Sequence, residues 1–174
     1  MAHTIEPAAS GRAKCRGCGR AIAKGELRFG QRFPNPFSDE GEMTLWLHLM
    51  CGAYKRPEAL LEALEESAEA IEDKDRLVLE ARKGLEHECL PRAGKAERSP
   101  TGRARCRSCG EVIAKDGWRV QLVFFEEDRF VPSGFIHAAC AHEYFGTRDL
   151  LERLRHFDPD LKTEELAELE AALG

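Results

Sequence analysis

Eight side chains carry the chemistry of this sequence. Cys15 and Cys18 form a C-x2-C pair, and His48 and Cys51 follow as H-x2-C; Cys106, Cys109, His137 and Cys140 repeat both pairs. Two residues between paired cysteines let one tight turn point both sulfurs at a single ion. The H-x2-C pair at i, i+3 projects two ligands from one face of a first helical turn. Each set supplies three thiolates and one imidazole, a closed tetrahedral site for structural zinc, so two zinc ions per chain are expected. Disulfides are the lesser reading, because six of the seven cysteines fall into these metal-ligand spacings.

The elements that position the ligands also occur twice. GRAKCRGCGRAIAKGELRF from Gly11 aligns with GRARCRSCGEVIAKDGWRV from Gly102, and such self-similarity marks a duplicated structural unit. Between C-x2-C and H-x2-C each copy is expected to form strand, loop, strand. Leu27, Phe29 and Phe33 alternate with Arg28 and Arg32; Trp118, Val120, Leu122 and Phe124 stand opposite Arg119. The return strands are expected at Met43 to Leu47 and Ser133 to Ile136, with long aromatic loops at 33–42 and 125–134. After each H-x2-C comes a short helix, ended by Pro57 or Gly146, and then a matching apolar pattern: Leu60, Leu61 and Leu64 against Leu150, Leu151 and Leu154. Helices are expected at 57–71, striped by Leu60, Leu64, Ala68 and Ile71, and at 163–173 with Leu166 and Leu169 inward.

The fold class is therefore α+β: two small zinc-stabilised fingers, each a short antiparallel sheet plus helix, with helical tails. The domains are 1–90 and 101–174, and PRAGKAERSP at 91–100, which has no periodicity, is the expected linker. Units this small seldom bury enough apolar surface to fold without a staple. The sequence of 174 residues has no stretch of apolar residues long enough to cross a bilayer and no secretory leader pattern, which points to an intracellular protein. The net charge of −5 hides a basic first finger: residues 1–56 carry +4, 57–98 carry −5, 99–147 are neutral and 148–174 carry −4.

The motifs G-R-A-x-C-x-x-C, I-x-K-x-x-x-R and W-x-H-x-x-C resemble the poly(ADP-ribose) polymerase-type zinc finger, a family known for binding DNA strand breaks. They fall on Gly11, Arg12, Ala13, Cys15, Cys18, Ile22, Lys24, Arg28, Trp46, His48 and Cys51. In the second copy they fall on Gly102, Arg103, Ala104, Cys106, Cys109, Ile113, Lys115, Arg119, His137 and Cys140, with Phe135 in the place of the tryptophan. The resemblance implies that Arg12 with Arg28, and Arg103 with Arg119, grip phosphates while apolar loop residues stack on the base pair exposed at a break. Arginine contacts to phosphate are blind to sequence, and an aromatic face accepts any base. Phe33 and Phe37, with Phe125, Phe130 and Val131 in the second copy, are the candidate stackers; the same phenylalanines could instead serve the core, and Arg12 and Arg28 could pair with the acidic tail.

Acidic loop residues (Asp39, Glu40, Glu42; Glu126, Glu127, Asp128) oppose phosphate binding, and the neutral second finger is the weaker DNA-binding candidate. Fingers, tails and linker account for the chain, so a binding module without catalysis is expected. It would act on DNA breaks or ends, with a repair protein as a second partner, in the nucleoid of a bacterium or the nucleus of a eukaryote. An alternative reading is a zinc-scaffolded protein adaptor. A redox enzyme would have to draw on Cys89, His87 and His142, the residues left over from the ligand sets.

Overall fold

The computed structural model describes residues 3–174 and divides into two units, 1–86 and 87–174. In the first, β1 (Thr4–Pro7), β2 (Leu27–Pro34) and β3 (Glu42–His48) form an antiparallel sheet in the order β1-β2-β3. Helices α1 (Leu49–Lys55), α2 (Pro57–Glu66) and α3 (Lys74–Glu86) pack against one another. The alternation in β2 holds where it matters: Phe29 is fully buried and Arg32 exposed. Phe29, Leu45 and Leu47 of the sheet join Tyr54, Leu60, Leu64, Leu77 and Ala81 of the helices in the core.

Gly30 shows how tightly this sheet is built. A Cβ there would lie 2.7 Å from Trp46 Cζ3 and 2.9 Å from the methyls of Thr4 and Thr44, its cross-strand neighbours among them. Gly30→Ala is expected to destabilise the first unit by about 1–3 kcal/mol, the usual effect of overpacking. Urea unfolding followed by tryptophan emission measures it.

The second unit repeats the plan. Strands β4 (Ala93–Arg98), β5 (Trp118–Glu126) and β6 (Arg129–His137) form a sheet in the order β4-β5-β6, followed by α4 (Ala141–Phe145), α5 (Leu151–Phe157) and α6 (Thr163–Leu173). Leu90, Val120, Leu122, Ile136, Phe145, Leu150, Leu154 and Leu169 lie in its core. Pairing of Ile5 with Phe29 corresponds to pairing of Ala96 with Val120, so β1 and β4 are equivalent strands.

Three sequence expectations are corrected here. Residues 91–100 are not a free linker: Leu90–Arg92 form a 3-10 turn and Ala93–Arg98 form β4, with Ala93 and Ala96 buried. The alternation of small buried residues was too slight to register as a strand. The helix expected over 57–71 stops at Glu66. Ser67 accepts the Glu69 amide at 3.2 Å, and the run of glutamates on this segment offers like-charge repulsion at helical spacing; Ala68 is exposed, and the chain resumes as α3, which the sequence reading lacked. The long loop expected at 125–134 is mostly strand. Glu126 faces Arg129 across a turn of only Glu127 and Asp128, whose φ values of 50° and 60° suit a type I′ hairpin.

Candidate metal centres and nucleic-acid interface

Each metal centre is assembled by three local devices. Bridges Lys14 to Ala21 and Arg105 to Val112 close the C-x2-C turns. The sheet delivers the histidine at the end of β3 or β6, and the following helical turn returns the last cysteine. Cys51 sits in α1 as expected; Cys140 ends a 3-10 turn, Ala138–Cys140, just before α4.

The donor atoms of Cys15, Cys18, His48 and Cys51 lie within 4.8 Å of one another, as do those of Cys106, Cys109, His137 and Cys140. His48 Nδ1 is 3.4 Å from Cys18 Sγ and 3.9 Å from Cys51 Sγ; His137 Nδ1 is 3.4 Å from Cys109 Sγ and 3.8 Å from Cys140 Sγ. Ligands about 2.0–2.3 Å from a tetrahedral zinc stand roughly 3.5–3.8 Å apart, so the residues fit that ion. The opposite ring nitrogens donate to backbone carbonyls, His48 Nε2 to Ala21 and His137 Nε2 to Val112, both at 3.1 Å. This outer contact fixes the tautomer that leaves Nδ1 for the metal.

Electrostatics complete the argument for a cation. The Gly17 and His48 amides donate to Cys15 Sγ at 3.3 Å, and the His137 and Ser108 amides to Cys106 Sγ at 3.3 and 3.4 Å. Hydrogen bonds with Cys15 and then Cys51 hold the Cys18 thiol far below its ordinary range. Burial opposes charge on Cys106, yet the Cys109, His137 and Ser108 amides offset it and bring the thiol down to about 6. The sulfurs of Cys15 and Cys18 raise His48 to about 10. Three sulfurs and one imidazole nitrogen within 4.8 Å of one another suit a dication in each set, and the chain holds two zinc ions.

The arginines are placed unequally. Arg12 and Arg103 are exposed, and neither guanidinium has a partner among the described residues. Arg28 lies opposite both Glu6 and His48 in the sheet. It donates from Nη2 to Glu6 Oε1 at 3.0 Å, with its guanidinium carbon 3.5 Å from the Trp46 ring centre. Arg119 is buried, donates from Nε and Nη2 to Glu97 Oε1 at 3.2 and 2.8 Å and from Nη1 to Ser99 Oγ at 3.4 Å, and lies 3.5 Å from the Phe135 ring centre. Both arginines pair with a carboxylate of the first strand of their own sheet rather than with the acidic tails. Glu6 and Glu97 were missed because the repeat was aligned from Gly11; carried upstream in the same register, it places a glutamate at each position.

The loop aromatics also differ. Phe37 is 94% exposed, in a loop between Pro34 and Glu42 whose Asn35 side chain accepts the Phe37 amide at 3.0 Å. Phe33, Phe125 and Phe130 are half-buried. Phe125 and Phe130 face each other across the hairpin with ring centres 5.0 Å apart. Cys89 and His142 stand outside the ligand sets. Cys89 Sγ accepts from Arg92 Nη1 at 3.3 Å, and that guanidinium also reaches Tyr144 at 3.1 Å. Among the described residues no helix is long and apolar enough to cross a membrane.

A closed Cys3His centre held by a three-stranded sheet and a helical turn defines a structural zinc finger, here present twice. Residues 6–88 match the family described as the poly(ADP-ribose) polymerase and DNA-ligase zinc-finger region. The first unit belongs to that family, and the second repeats its fold and ligands. The chain is 28% identical to a poly(ADP-ribose) polymerase of Sarcophaga peregrina over 97% of its own length and 19% of that protein. It is 32% identical to poly(ADP-ribose) polymerase 1 of Gallus gallus over 68% of its length and 13% of that protein. It thus spans about a fifth or less of these relatives.

Proposed function

We propose that this protein is a non-catalytic, zinc-scaffolded module that binds DNA strand breaks or ends without reading sequence, inside whatever compartment holds the DNA. The observation that carries this is the pairing, on one finger, of a free exposed arginine, Arg12, with an almost fully exposed loop phenylalanine, Phe37. The first supplies phosphate contact; the second supplies a stacking face usable only where a base pair is open. Arg28 lies against Trp46 and Glu6, while Arg16 and Lys24 of the same finger are exposed. Zinc supplies the rigidity that holds these groups in place.

Fluorescence anisotropy with nicked, blunt-ended and covalently closed duplexes tests the proposal. Tighter binding to the broken forms is expected. Arg12→Ala is expected to weaken binding to every form and to lower the salt slope by about 0.9, the loss of one phosphate contact. Binding to no DNA at low salt would instead favour a protein adaptor, for which Leu79 and Leu85 of α3, 54% and 52% accessible, are separate exposed apolar side chains.

A further inference from the structure

The two fingers share a scaffold but present different tips. In the first, seven residues separate the paired ends of β2 and β3, and the loop holds Phe37 out in solvent with no ring contact among the described residues. In the second, β5 and β6 run on to a two-residue turn. The aromatics there are spent on each other: Phe125 and Phe130 form an edge-on pair, both half-buried. Both tips carry acidic charge, Asp39, Glu40 and Glu42 being exposed on the first, so the tips differ in the exposed ring rather than in charge. On the second, Glu126 and Glu127 are exposed, Asp128 is half-buried beside them, and Arg129 approaches Glu127 at 3.8 Å. Such a cluster is repelled by phosphate within the screening length of about 8–10 Å.

The knuckle of the second finger repeats the basic pattern of the first, where Arg12, Lys14 and Arg16 are exposed. Arg103 and Arg105 are both exposed in the segment that leads to the ligand Cys106. Arg105 makes one contact, to the Gly110 carbonyl at 3.3 Å, and Arg103 has none among the described residues. Arg107 is also exposed, with the stem of its side chain lying beside Gly134.

We infer that the two fingers divide the work: the Phe37 loop of the first selects the break, while the second grips only the phosphate backbone, through Arg103 and Arg105, and inserts nothing at the break. This rests on the DNA-binding function proposed above and departs from the expectation that Phe125 and Phe130 stack on bases.

The experiment uses the full zinc-loaded chain and compares Kd for a nicked duplex with Kd for the same sequence in a closed circle, across a salt series. Phe37→Ala is expected to bring the ratio of the two to about one with the salt slope unchanged. Arg103→Ala with Arg105→Ala is expected to weaken both DNAs equally and lower the slope by up to about 1.8, at 0.9 per phosphate contact. Phe130→Ala is expected to leave the ratio at the wild-type value. Because that change could loosen the hairpin, Glu127→Gln with Asp128→Asn is tested beside it, and the ratio is again expected to hold. A ratio that collapses in Phe130→Ala with two zinc ions retained, one that moves in the amide variant, or one that survives Phe37→Ala overturns the division alone. An unchanged slope in the double arginine variant does the same. Equal affinity of the wild-type chain for both DNAs overturns the break-binding function itself.

Discussion

Cys106→Ser is expected to unfold the second unit, and a strong chelator is expected to unfold both. Each unit is under ninety residues, a size at which the apolar core leaves little margin over chain entropy. In structural zinc sites the metal's binding free energy, about 10–16 kcal/mol at neutral pH, becomes folding free energy. The geometry locates that coupling. The four ligands of the second unit come from the C-x2-C turn between β4 and β5, the end of β6 and the 3-10 turn that follows, so losing one thiolate unties the sheet from the helices. Elemental analysis should return two zinc ions per chain for the native protein and one for the variant. Circular dichroism should show the loss of ordered structure. Trp46 emission should still report a folded first unit, because that unit has its own ligand set and its own core. Cooperative folding of the metal-free chain would contradict the prediction. Acid should act like the chelator, since protonated thiols and imidazolium no longer bind the metal.

The ligands were legible because metal chemistry is local and strict: C-x2-C and H-x2-C state both residue type and spacing, and their duplication excluded coincidence. The central strands were legible for a similar reason, since Phe29 and Val120 alternate with polar neighbours. Weak signals failed where burial is achieved by small side chains. The strand β4 buries Ala93, Gly94 and Ala96, residues that carry almost no hydrophobic period, and so it passed for a linker. The second hairpin failed for a different reason. Glu127 and Asp128 adopt positive φ, a conformation usually announced by Asn or Gly, and without that signal the aromatic-rich stretch passed for a loop. α3 was hidden by charge, because only Leu77, Ala81 and Gly84 are buried on a helix of thirteen residues. The exposure of Phe37 against the pairing of Phe125 with Phe130 lay beyond any sequence pattern, since it depends on how many residues each hairpin spends in its turn.

The glutamate that holds the buried arginine is expected to matter far more in the second unit than in the first. Arg119 keeps 9% of its side-chain surface and Glu97 keeps 28%; Arg28 keeps 11%, but Glu6 keeps 43%. Removing one partner of a buried pair leaves an uncompensated charge and costs about 3–5 kcal/mol, whereas exposed pairs contribute about 0–1 kcal/mol. Glu97→Ala should therefore destabilise the second unit by about 2–4 kcal/mol, the lower end reflecting the water that reaches Glu97 and the Ser99 hydroxyl that remains for Arg119 Nη1. Glu6→Ala should cost the first unit about 1 kcal/mol, because solvent already screens its carboxylate and the Trp46 face continues to hold the guanidinium. Glu97→Gln should fall between the wild type and Glu97→Ala, since the amide oxygen still accepts from Arg119 but carries no charge. The double variant Glu97→Leu with Arg119→Leu should lose less than Glu97→Ala, as apolar replacement of both partners removes the stranded charge. Denaturant unfolding gives all four values, followed by Trp118 emission for the three second-unit variants and by Trp46 emission for Glu6→Ala. A loss for Glu97→Ala no larger than that for Glu6→Ala would show that the Arg119 guanidinium finds water when its carboxylate is gone, and that the sheet does not depend on the pair.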